Sequence, residues 1–197
     1  MDFINLLETN PTLVPITLGF IVACFGILYQ RKTARETNSL KFQSDKAHNK
    51  EYEKHSKTAM VFCNTASSKD LEELARDHTI DDAGVAILYI LNEWERCASA
   101  VEHKLYDESF IFKSSASGFI NMVNKLMPYI NETRSQTGKK TVYSNMMAMH
   151  ERWVMRRKID SYFSSIGIKK NSWYYTSFVL KMLLPVWFFL GSALKSI

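Results

Sequence analysis

Two groupings of side chains in this sequence have the types that chemistry needs. His48, Glu51 and His55 lie at i, i+3 and i+7, on one face of a helix, and imidazole with carboxylate can hold a divalent metal. A catalytic zinc helix places its histidines four apart, as in H-E-x-x-H, and that spacing is absent. The surrounding segment is dense in Lys, Glu and Asn, which favours a solvated face, so no metal is expected. Arg96 and His103 are seven residues apart, again on one helix face. An imidazole there could move a proton and a guanidinium could steady charge on a phosphate. The competing reading is an ordinary solvated helix edge, and no catalytic residue is assigned. Cys24, Cys63 and Cys97 show no C-x-x-C spacing. Neither a cysteine zinc site nor a disulfide scaffold follows, and a reducing compartment fits. No Gly-rich phosphate loop, G-x-S-x-G elbow or kinase signature occurs, so no cofactor is expected.

The elements that carry these residues are bounded first by composition. The chain has 197 residues, 46% of them hydrophobic and 13% aromatic, with 7 Gly and 4 Pro, which excludes disorder and collagen-like or low-complexity architecture. A net charge of +5 does not by itself imply a nucleic-acid binder. The charge is unevenly placed. Arg31, Lys32 and Arg35 form one basic cluster, and Arg152, Arg156, Arg157, Lys158, Lys169 and Lys170 form another, each beside an apolar segment. A Lys or Arg near an anionic leaflet contributes about 1 kcal/mol, so a membrane surface explains both clusters at once. RNA is the rival partner, and no Gly-rich or RNP-like aromatic motif supports it.

Thr9 to Gln30 contains no charged residue. As a helix, Pro11 to Tyr29 extends about 28 Å, close to a bilayer core. Basic residues follow the segment rather than precede it, which argues against a secretory signal and predicts an outward N-terminus. Gly19, Ala23 and Gly26 fall at i, i+4 and i+7. Such a face lets membrane helices approach closely, although glycine is common in membrane helices anyway. The second apolar segment, Asn171 to Leu194, is interrupted by Lys181, contains Pro185 and is fronted by Trp173, Tyr174 and Tyr175. It reads as a second span or as a helix lying on the membrane or the domain.

Between the two segments the periodicity is helical. Arg31 to Thr65 predicts one polar helix. Ser67-Ser68-Lys69-Asp70 predicts a capped short helix to Asp77. Val85, Leu88, Leu91, Trp94, Ala98, Val101 and Leu105 predict the buried face of a helix over 82–105, capped by Thr79 or Asp81. Asp107 is the cap of the next helix, which Pro128 kinks or stops. A polar turn over 134–140 and a helix over 141–165, closed by Gly167, complete the set. The expectation is an all-α protein. It comprises an N-terminal outward segment and transmembrane helix over 1–30, a juxtamembrane helix over 31–66, a cytosolic helical bundle over 67–168 and a hydrophobic helix over 169–197.

The order of several short motifs resembles the bacterial family called domain of unknown function 4760. The motifs are the anchor with Arg31-Lys32-Thr33-Ala34-Arg35, Leu91-Asn92-Glu93-Trp94-Glu95, Leu105-Tyr106-Asp107-Glu108, Pro128-Tyr129-Ile130 with Arg134, and the late Tyr143 and Trp153. The likeness covers about residues 12 to 155 and implies a membrane-anchored helical fold without a known activity. Arg96 to His103 also resembles the Arg-x(4–6)-His pattern of HEPN ribonucleases, with six intervening residues where four are usual. A looser architectural likeness is to membrane effectors of CRISPR and retron defence systems, at the level of fold only.

The expected function is therefore non-enzymatic. The chain is read as an inner-membrane protein that self-associates and acts on membrane integrity, as a pore-forming or depolarising defence effector or a toxin. Its expected partners are membrane lipids, further copies of itself and a defence-system protein or ribonucleoprotein, without direct nucleic-acid binding. The alternatives are a membrane-tethered HEPN-like ribonuclease using Arg96 and His103, and a scaffold that recruits a cytosolic partner.

Overall fold

A computed structural model describes residues 13–77 and 81–165 of the chain. All regular structure among them is helical: α1 (Leu13–His48), α2 (Lys50–Thr65), α3 (Ser68–Arg76), α4 (Asp82–Glu102), α5 (Glu108–Thr137) and α6 (Ser144–Ser165). The expected second apolar segment, Lys169, Lys170, Thr79 and Gly167 lie outside the described residues.

The polar helix expected over 31–65 is two helices. The first continues the apolar segment without a break from Leu13 to His48. Asn49 then leaves helical geometry (φ −81°, ψ 104°), and its side chain accepts hydrogen bonds from the Glu51 and Tyr52 amides at 2.9 and 3.1 Å. An asparagine side chain competes with the helical ladder in this way, closing one helix and capping the next. Among the described residues no helix is long and apolar enough to cross a membrane. The uncharged stretch Thr9 to Gln30 extends beyond the described residues at its N-terminal end. Within the described part, Ile16, Phe20, Phe25 and Leu28 are all more than half exposed.

The remaining helices start where side-chain oxygens can satisfy orphan amides. Ser67 and Asp70 form a reciprocal capping box for α3. Asp81 caps α4 by accepting from the Gly84 amide, and Asp107 caps α5 by accepting from Phe110 at 2.8 Å. Between α4 and α5 the chain turns through a Schellman arrangement. The Leu105 amide donates to the Ala100 carbonyl and Lys104 to Val101, with Lys104 at φ 58°. This corner is fixed to α1, because the Ser39 hydroxyl accepts from the Asp107 amide at 2.7 Å and donates to the Arg35 carbonyl at 2.8 Å.

Pro128 neither stops nor ends α5, which runs on to Thr137 and closes at Gly138 in the left-handed conformation (φ 64°). The turn expected over 134–140 is correspondingly shorter. The ring costs one amide donor, which the burial of Leu126, Tyr129 and Ile130 around it outweighs.

The chain divides into two compact units, Met1–His150 and Glu151–Ile197. In the first, α2 packs along α4 and α3 along α5, and α1 touches α2 and α5. The core is Ile87, Leu91, Ile111, Phe119, Val123 and Ile130 with the surrounding side chains. Of the buried face expected for this helix, Leu91, Trp94, Ala98 and Val101 are buried, whereas Val85, Leu88 and Leu105 are exposed. Ala86, Ile87, Ile90 and Cys97 join the buried side, and Ile87 with Ile90 and Leu91 supplies the i, i+3, i+4 set that packing selects over the first turns of α4. In the second unit Trp153 is buried and the rings of Tyr162 and Phe163 meet edge to face at 5.8 Å.

Candidate functional site

The residues singled out by type do not assemble into a reactive centre in the described residues. Arg96 is exposed and pairs with Glu93 one turn earlier. His103 is exposed and forms the C-cap of α4, beyond its last regular turn. His48 and His55 fall on separate helices because Asn49 intervenes, which breaks the shared face that their spacing suggested. His48 contacts the Ser44 carbonyl at 2.7 Å, and His55 stacks on Tyr89 at 4.6 Å between ring centres. Among the described residues no three of His, Cys, Asp and Glu gather as a metal set.

Gly19, Ala23 and Gly26 lie exposed on α1, and a Cβ added at either glycine would meet nothing within 4 Å. Arg31 and Lys32 are exposed just beyond them, Lys32 lies 3.8 Å from Glu36, and Arg35 donates to the Arg31 carbonyl at 3.3 Å. In the second unit Arg157 and Lys158 are exposed and Arg156 is half-buried.

Several motif residues have structural work. Glu95 of α4 accepts from the Asn145 and Met146 amides at 3.2 and 2.8 Å and from the Asn145 side chain at 3.0 Å. It is the anionic cap of α6, supplied from another helix, where the helix dipole favours negative charge. Arg134 donates to the Val142 carbonyl at 2.9 Å and pins the turn into α6. Asp107 caps α5, as described above.

The feature that types and spacing left hidden is built around Lys46, near the C-terminal end of α1. Its ammonium stands 3.7 Å from the Trp94 ring centre, 4.5 Å from Tyr52 and 5.8 Å from Phe42. Phe42 meets Trp94 edge-on at 6.3 Å, and Trp94 packs on Phe119 at 4.6 Å. Ring faces are electron-rich, so this cage attracts a cation by about 2 kcal/mol where water is excluded. Burial nevertheless pushes the Lys46 ammonium down to about 8. No carboxylate forms an ion pair with it among the described residues.

Beside Lys46 opens a cavity of about 310 Å³ walled by α2, α4 and α5. Its apolar wall includes Met60, Ile90, Trp94, Phe119 and Leu126, and its polar groups include Ser56, Ser115, Asn121 and Lys125, the last donating to Asn64. No Asp or Glu lines it among the described residues. Burial raises the Cys63 thiol and pushes Cys97 up to about 12, so both stay protonated and poorly nucleophilic near neutral pH. Burial likewise lifts the Tyr52 phenol to about 12. The cavity offers a cation, hydroxyls and aromatic faces, a set suited to binding. No local signal marks Lys46, because it sits in a polar stretch and the ring nearest to it, Trp94, is 48 positions away.

Neither a curated protein nor a solved structure matches this chain significantly. The model of the family described as "Domain of unknown function (DUF4760)" matches residues 13–153. That match spans well over half of the sequence and takes in the Glu95 cap, the Asp107 corner and the Lys46 cage, so the chain belongs to the DUF4760 family.

Proposed function

We propose that this protein is a membrane-anchored, non-enzymatic helical protein that self-associates through its N-terminal helix and acts on membrane integrity. One observation carries the reading. A single unbroken helix is uncharged with exposed apolar side chains over its first half, and turns basic at Arg31, Lys32 and Arg35. Exposing that many large apolar groups to water is unfavourable by about 25 cal/mol per Å², and lipid removes the cost. The sequence from Thr9 to Gln30, taken whole, matches a bilayer core in length. The positive cluster orients the N-terminus outward at the bacterial inner membrane. Gly19 and Gly26 leave an open face on which a second copy can approach. The assembled domains then sit at the inner leaflet, where the basic cluster of Arg156, Arg157 and Lys158 adds positive charge facing anionic headgroups. In this reading a defence-system protein or ribonucleoprotein is a further partner.

Induced expression with a membrane-potential dye tests the proposal. Depolarisation is expected on induction of the full chain, and a Gly19→Ile, Gly26→Ile double variant at equal membrane abundance is expected to lose most of it. Unaltered polarisation at saturating expression would overturn the proposal.

A further inference from the structure

We propose that the cavity beside Lys46 binds an amphipathic organic anion, a carboxylate or phosphate head carried on a short apolar body. The inference is independent of membrane anchoring. Three observations point the same way. The cavity, at about 310 Å³, lies at the lower end of the range for small-molecule sites and is largely apolar. Its charged lining groups, Lys46 and Lys125, are both cations, with no carboxylate among the described lining residues to neutralise them. Among the described residues the Lys46 cation is held by ring faces alone, 3.7 Å from Trp94. Rings satisfy the charge of an ammonium but none of its three N–H donors, which an anionic oxygen would accept. Ser56, Ser115 and Asn121 add donors on the cavity wall, while Met60, Ile90, Phe119 and Leu126 supply the surface for an apolar body. A bare inorganic anion leaves that wall uncovered, and a neutral amphiphile leaves Lys46 unpaired.

The titratable groups around Lys46 come from every packed element. They are Lys41 and Asp45 on α1, Tyr52 and Cys63 on α2, Glu93 and Cys97 on α4, Tyr106 in the turn after α4, and Lys125 on α5. Asp45 and Glu93 line the recess on the other side of Lys46, and Glu93 is engaged by Arg96. Burial pushes Tyr52 and Cys97 up to about 12 and raises the Cys63 thiol. Lys46, at about 8, changes charge between pH 7 and pH 9.

The test is calorimetric titration of the full chain in phosphatidylcholine nanodiscs, against empty discs, with octanoate, octyl phosphate, octanol and inorganic phosphate. A chain that stays in solution without lipid is titrated in buffer, so failure of the anchor does not touch this site. Saturable binding of octanoate or octyl phosphate is expected, at least tenfold tighter than octanol or inorganic phosphate. Preference between the two organic anions separates a fatty-acid source from a phosphate-ester source. Lys46→Met is expected to weaken binding at least tenfold with helicity unchanged. Affinity of the unaltered chain is expected to fall about tenfold from pH 7 to pH 9, as the protonated fraction of Lys46 falls. Octanol binding as tightly as octanoate, or Lys46→Met binding as well as the unaltered chain, would overturn the proposal. If Lys46→Met fails to fold, the pH series decides, and a flat profile would overturn it.

Discussion

Glu95→Ala is expected to cost about 3 kcal/mol of folding stability, as much as removing a large core side chain. The carboxylate is half-buried and takes three donors, at 2.8, 3.0 and 3.2 Å, two of them amides in the first turn of α6. Hydrogen bonds to a charged group contribute about 1.5–3 kcal/mol each, and an orphaned buried amide adds a desolvation cost. The loss extends beyond the helix end, since the turn held by Arg134 and Val142 leads directly into these amides. Urea unfolding followed by circular dichroism reads the effect. Glu95→Gln, which keeps one carbonyl acceptor but not the charge, is expected to lose about half as much. A loss below about 0.5 kcal/mol for the alanine variant would mean that α6 finds another cap.

The second large effect separates two adjacent residues. Ile87→Ala is expected to destabilise by about 3–4 kcal/mol, whereas Leu88→Ala is expected to cost less than about 1 kcal/mol. Ile87 is fully buried and Leu88 is 42% exposed. The large cost combines lost transfer free energy with the void left among side chains that relax only partly. Thermal unfolding of both variants checks the assignment, and equal losses would place the buried face of α4 elsewhere.

That pair also shows how far the sequence alone could be read. Helix starts were legible because capping is local: Asp81, Asp107 and the Ser67–Asp70 box act within three residues of themselves. Gly138 falls within the polar turn expected over 134–140, although the helix runs into that turn as far as Thr137. In α4 the later part of the buried face was legible, with Leu91, Trp94, Ala98 and Val101, but its first turns were not, since Val85 and Leu88 compete there with Ile87 and Ile90 and only packing partners choose between them. Of the two outcomes open at Pro128, a kink or a stop, the stop does not occur, because tertiary burial of its neighbours carries α5 past a local breaker. Asn49 was hidden within a polar run whose composition does not show that a side chain will take over two backbone amides.

The site divides along the same line. Arg96 and His103 share a helix face by spacing, yet one pairs with Glu93 and the other ends the helix. The Lys46 cage joins residues from α1, α2 and α4, and such a constellation leaves no periodic trace. The motif carrying the family likeness is more legible as scaffold. Glu95, Asp107 and Arg134 fix helix ends and corners, which is why the family resemblance predicts architecture without predicting an activity.

The proposed action on the membrane depends most on lipid covering the first half of α1. The direct measurement is alkaline carbonate extraction of membranes from cells producing the full chain, followed by ultracentrifugation, beside a variant lacking residues 1–30. The full chain is expected to remain wholly in the membrane pellet while the shortened chain moves to the supernatant. Full-length protein released by carbonate as a soluble monomer would contradict the anchor, and with it the proposed action on the membrane.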